Sequence, residues 1–169
     1  LGERGPRSAI DVVVTSEIGL GAGLSSSAAL AVAGTHVIGA AQDVELDALE
    51  RALACQRTEH EYGGRPCGIM DMYVSILGEA GHAVLIDCRD HRAEAMRLLP
   101  DDAWRWLVAD TGVRHDNADG AYGQRRATCA AAARTLGLDS LRDATIAMLE
   151  HPDLDDVARR RAAHVVTEN

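Results

Sequence analysis

Lysine is absent from this chain of 169 residues, so all 17 of its basic residues are arginine. A Walker-type phosphate loop needs lysine ahead of its Ser or Thr, and that reading is excluded. Phenylalanine is absent too, and aromatic residues make up only 3%. With 47% hydrophobic residues a core is available, and it must be mainly aliphatic. Positive charge is in short supply: the formal net charge of −9 argues against a nucleic-acid surface, which wants a basic stripe. No run of about 18 apolar residues exists, so no membrane span is expected. No signal peptide or lipid-anchor motif appears. The four cysteines (Cys55, Cys67, Cys88 and Cys129) contain no C-x-x-C pair and read as reduced thiols of a cytoplasmic protein. The seven histidines lack H-E-x-x-H or any comparable spacing, which argues against zinc. They read as structural or surface residues.

What is present reads as α+β. Ile10 to Thr15 is β-branched and bounded by polar residues, a strand signal. An alanine-rich helix is expected from Ser25 to about Ala41, and a second from Asp43 to about Glu61 with Leu46, Leu49 and Leu53 on one face. Gly63, Gly64 and Pro66 break the chain before a short helix from about Ile69 to Leu77, which Gly78 ends. His82 to Cys88, Arg92 to Leu99 and Trp104 to Asp110 read as strands, with Trp104 and Trp106 in core and edge packing. Helices are expected near 119–136, 140–149 and 153–168, with a lobe boundary near Pro100. The chain opens on Leu1 rather than Met and closes inside a helical pattern without a stop signal, so it reads as an internal piece of something longer.

The stretch Gly21-Ala22-Gly23-Leu24-Ser25-Ser26-Ser27-Ala28-Ala29-Leu30 carries the most information. Glycines let the main chain approach a ligand, and a helix start offers unpaired amides that suit phosphate. Gly21-x-Gly23-x-x-Ser26 matches the dinucleotide fingerprint only weakly, although Asp43 lies at about the right distance. Residues 36–45 do not read as the strand that should carry that acid. A plain glycine turn with a serine helix cap is the ordinary alternative. Three successive serines before Ala-Ala-Leu favour a phosphate cradle.

This stretch resembles the second motif of the GHMP small-molecule kinases, in the form found in galactokinases. Cys67-Gly68-Ile69-Met70-Asp71, Leu85-Ile86-Asp87-Cys88-Arg89, Val113-Arg114-His115, Tyr122-x-x-Arg125-Arg126 and Ala163-His164-Val165-Val166-x-Glu168 resemble galactokinases in the same order along the chain. The resemblance implies a GHMP kinase fold. Residues 1–100 would belong to an N-terminal lobe like ribosomal protein S5 domain 2, and 101–169 would open a ferredoxin-like C-terminal lobe. It implies transfer of the γ-phosphoryl of ATP onto O1 of galactose, with Mg²⁺. Another sugar (N-acetylgalactosamine, arabinose or a uronic acid) or a non-catalytic sugar and ATP sensor are the alternatives.

The resemblance assigns Gly21 through Ser27 to ATP phosphate, Asp71 to catalysis beside the anomeric hydroxyl, and Ser27 with Glu59 to Mg²⁺. Gly68, Asp71 and Tyr122 would contact the sugar. Each has an ordinary alternative. Asp is a common first-turn residue, favoured there by the helix dipole. A helix-surface glutamate is usually solvated, and Glu61 rivals Glu59. A half-buried tyrosine finds any available partner. Arg125 and Arg126 read as helix-surface ion pairs. A catalytic arginine and the sugar-recognition signature would lie upstream of Leu1, so the isolated chain is expected to have little kinase activity. Two positions depart from the family pattern. Gly19 stands where proline is usual and loosens the loop entrance. Met72 stands where glutamine commonly follows the aspartate, which bears on sugar specificity.

Overall fold

The computed structural model describes residues 9–64, 66–98, 105–110, 112 and 120–168. Two compact units divide between Asp116 and Asn117. The sequence placed the lobe boundary near Pro100, which lies outside the described residues, as do Trp104 and Val113–His115.

The first unit holds three helices and a hairpin. Helix α1 spans Ser26–Gln42 and ends at Asp43, whose left-handed backbone (φ 55°) turns its N–H back onto the carbonyls of Gly39 and Ala40. Asp43 therefore stops α1 and does not start the next helix. Helix α2 spans Ala48–Glu61 and starts at Asp47. The Asp47 side chain accepts from the Glu50 N–H at 2.8 Å, while the Glu50 carboxylate accepts from the Asp47 N–H at 3.0 Å. This capping box satisfies two amides that a bare helix start leaves open. Helix α3 covers Met70–Leu77, and Gly78 closes it with its N–H on the Val74 carbonyl. Strands β1 (His82–Asp87) and β2 (Arg92–Arg97) pair antiparallel, with His82 opposite Arg97 and Asp87 opposite Arg92.

One aliphatic core joins these elements: Ala28 and Val32 from α1, Ala52 and Cys55 from α2, and Ile69, Met72 and Tyr73 at α3. Ile86 of β1 and Ala93 of β2, directly opposite each other in the ladder, pack against it. Tyr73 anchors the hairpin as well. Its hydroxyl donates to the carbonyl of His91 at 2.9 Å, and His91 sits in the left-handed region (φ 59°) at the hairpin turn.

Two expected strands are not formed. Ile10 to Thr15 has no ladder and is exposed throughout, with Val13 at 90%. Residues 105–110 are likewise outside any ladder, so Trp106 is exposed instead of packed. A strand needs a partner for its N–H and C=O groups, and β-propensity alone does not supply one.

The second unit is helical. Helix α4 spans Ala121–Thr135 and α5 spans Asp156–Glu168. The helix expected near 140–149 is instead two 3-10 turns, Leu141–Asp143 and Ile146–Glu150, separated by extended backbone at Ala144 and Thr145. Leu141, Leu149 and Leu154 are buried with Ala132 and Ala133 of α4 and Ala158 and Ala162 of α5. The turns bring both leucines inward, which is the gain that outweighs helical regularity; each contributes about 1.5–3 kcal/mol. Arg159 ties this connection down. Its guanidinium donates to the carbonyls of Leu149 at 2.8 Å, Leu154 at 3.1 Å and His151 at 3.4 Å. Between the long helices, Arg161 donates to the Thr128 hydroxyl at 2.6 Å and to the Gln124 carbonyl at 3.2 Å.

No helix among the described residues is long and apolar enough to cross a membrane.

Candidate active site

The glycine loop turns sharply into α1. Gly21 and Gly23 have φ of 68° and 77°, and Ser25 is left-handed as well at φ 54°. A non-glycine residue held there stores about 1–2 kcal/mol of strain. A Cβ at Gly23 would meet nothing within 4 Å, so the loop is open at that point. The Gly19 carbonyl accepts from the Ala22 N–H at 3.4 Å, a loose turn at the loop entrance.

Ser25 is the N-cap of α1, but its side chain caps no amide, and no acidic residue stands in the first turn. The serine cap of the ordinary reading is therefore not made. The Ala29 N–H is the first to find a helical acceptor, on Ser25 at 3.1 Å. The amides before it keep the partial positive charge of a helix start, with nothing negative on the helix to offset it. Ser25, Ser26 and Ser27 are half-buried, while Gly21, Gly23 and Leu24 are exposed.

Asp71 is half-buried in the first turn of α3, between buried Ile69 and Met72. Met72 is 1% exposed and belongs to the core, so its side chain is committed to packing. Gly68 is exposed, with open space where a Cβ would lie. Glu59 is half-buried near the end of α2, whereas its rival Glu61 is exposed. The Glu59 carboxylate lies against Gly63: a Cβ there would come within 3.2 Å of Glu59 Oε2 and 2.7 Å of the Glu59 carbonyl. Glu59 also raises the pKa of the Cys55 thiol one turn away, though burial is the main cause.

Three candidate groups thus share one support. Ser27 adjoins buried Ala28, Glu59 follows buried Cys55 by one turn, and Asp71 sits between Ile69 and Met72, all in the same core. Tyr122 belongs to the second unit, exposed near the start of α4, and nothing in the first unit's packing bears on it.

The sequence reads His60 as a structural or surface residue without naming its partner, and gives Gln56 no role. Both sit on α2 and bond the main chain of Cys67, His60 at 3.0 and 3.1 Å and Gln56 at 3.3 Å. Their four-residue spacing on one helix face was the available signal. Among the described residues, no group of three or more His, Cys, Asp and Glu side chains is arranged to hold a metal.

The glycine turn thus feeds an uncapped helix that stands on the same core as the acidic start of α3. Residues 1–79 match the GHMP kinases N terminal domain, so this part of the chain carries a domain of that family. Within that family its similarity is to galactokinases. It is 42% identical to the galactokinase of Chloroflexus aurantiacus over 175 residues, covering 97% of this chain and 43% of that protein. It is 40% identical to the Homo sapiens galactokinase, covering 96% and 42%, and 42% identical to that of Streptomyces coelicolor, covering 94% and 42%. The chain spans less than half the length of these curated relatives.

Proposed function

We propose that the protein is a cytoplasmic galactokinase, transferring the γ-phosphoryl of ATP to O1 of galactose and releasing galactose 1-phosphate and ADP. Residues 1–100 are read as part of the nucleotide-binding lobe and 101–169 as the start of the C-terminal lobe. The observation that carries the proposal is similarity to galactokinases along 97% of the chain, joined to an uncapped α1 start and an Asp71 helix on a common core.

In this reading the amides of Gly21 through Ser27 hold the triphosphate, replacing the water that would otherwise solvate its charge. The left-handed Ser25 bends the backbone sharply into α1. Asp71 accepts the proton of the sugar hydroxyl, or orients it for in-line attack. The hydroxyl of Ser27 and the carboxylate of Glu59 would be the groups to hold Mg²⁺, a cation that favours few protein oxygens beside phosphate and water. Bound there, Mg²⁺ would offset charge on the transferring phosphate. Gly68 offers main chain without a side chain to block the sugar. For Tyr122 the sugar contact rests on the resemblance alone.

The test is product formation by the full-length protein with ATP, Mg²⁺ and a panel of sugars. Fastest turnover with galactose is expected. Preference for N-acetylgalactosamine, arabinose or a uronic acid would replace the substrate, and Met72 in place of glutamine makes that comparison informative. Calorimetric binding of sugar and ATP without ADP release would make the protein a sensor and overturn the kinase reading.

A further inference from the structure

We propose that His60 is a positioning residue that fixes the segment leading into α3, and hence Asp71, in register with Glu59; the catalytic consequence rests on the galactokinase reading above. Residues 66–69 have no helix or ladder of their own, so something else must hold their backbone. α2 does so. His60 Nε2 lies 3.1 Å from the Cys67 nitrogen and 3.0 Å from the Cys67 carbonyl, and Gln56 Nε2 donates to that carbonyl at 3.3 Å.

An imidazole nitrogen either accepts or donates, never both at once. With Gln56 already donating to the carbonyl, the tautomer protonated on Nδ1 leaves Nε2 to accept the Cys67 N–H. Both polar groups of Cys67 are then satisfied from one helix face. The half-buried setting of His60 and Cys67 makes these bonds count for more than they would in water.

The grip matters because of where it falls. Cys67 is followed by Gly68, by buried Ile69, and then by Asp71 in the first turn of α3. A helix of 8 residues is marginal by itself, so its start is fixed by what precedes it and by the core. His60 is also the immediate neighbour of Glu59. One turn of α2 therefore carries a candidate metal ligand and the clamp on the segment bearing the candidate base.

The experiment compares His60→Ala, His60→Gln and Gln56→Leu in the full-length protein. A glutamine carboxamide can both accept and donate, so it can replace the ring. His60→Ala is expected to lower kcat about 10- to 100-fold, the scale for misplaced reacting groups and lost outer-shell partners. KM for ATP and sugar should stay within about twofold, because binding groups are untouched. His60→Gln should recover most of the loss. Amide hydrogen exchange should accelerate in residues 66–72 of His60→Ala and not elsewhere in the first unit. Wild-type kcat in His60→Ala, or exchange rising evenly across the unit with no rescue by glutamine, overturns the proposal. Should the wild-type protein transfer no phosphate, the kinase reading fails, and the exchange comparison still decides the clamp. If His60→Ala does not fold, Gln56→Leu gives the same readouts with one donor removed.

Discussion

Asp71 combines a half-buried setting with a place in the first turn of a helix, among the backbone amides that a helix start leaves open. Asparagine keeps its shape and removes the proton acceptor. Asp71→Asn in the full-length protein is expected to cut kcat by at least about 10²-fold with an unchanged melting temperature, measured as sugar-dependent ADP release. Unaltered turnover would remove Asp71 from the chemistry. A second expectation concerns Cys55, whose side chain is fully buried. Burial pushes its thiol above the ordinary value of 9.0, and Glu59 adds to this, while the Thr35 hydroxyl at 3.8 Å and Arg51 partly oppose it. Tyr73 is raised above 10.0 mainly by burial and secondarily by Asp47. In both cases the folded state prefers the neutral form. Their contribution is complete below those ordinary values and is lost as pH rises through the raised ones. Urea midpoints should therefore fall as pH passes 9.0, and the fall should be smaller in Cys55→Ala. Exposed Cys88 should react with a thiol reagent at once, and Cys55 only on unfolding.

At the scale of elements, what could be read in advance depended on how local the cause is. The glycine loop, α1, α3 and the turn at Gly78 are set by neighbouring residues, and their limits are nearly those the sequence suggests. The start of α2 was equally local but was misplaced. Asp47-Ala48-Leu49-Glu50 is a capping box in plain letters, and the competing Asp43 drew the boundary too early. Removing that box in Asp47→Ala should cost about 1 kcal/mol, seen as a lower melting temperature of the first unit. The two 3-10 turns were not legible at 140–149, because the spacing that buries Leu141 and Leu149 serves a helix or a broken turn alike. The strand signals at 10–15 and 105–110 failed for a third reason: pairing is a non-local property. The site divides the same way. Its loop and Asp71 stood out as motifs, whereas the His60 clamp depends on a contact seven residues away, between a helix and a segment without periodicity.

At the scale of the molecule, each compact unit has its own core, one closing on Cys55 and Met72 and the other on Leu149 and Ala162. Outside them lie large apolar side chains: Val13 is 90% exposed, Trp106 84% and Leu107 91%. Such runs bind hydrophobic dyes, while a net charge of −9 opposes precipitation. The 169-residue polypeptide is therefore expected to enhance anilinonaphthalene sulfonate fluorescence strongly without scattering light. A dye response no greater than that of a well-packed domain of equal size would show these side chains to be covered. The core of the second unit has a different consequence. Ala132, Ala133, Ala158 and Ala162 are almost entirely methyl-sized, so the distance between α4 and α5 is set by their backbones. An added methylene at Ala162 finds no vacant volume and must lever the two axes apart, stretching the Arg161 bond to Thr128. Enlarging Ala162 should therefore destabilise this unit unless a facing side chain is made smaller.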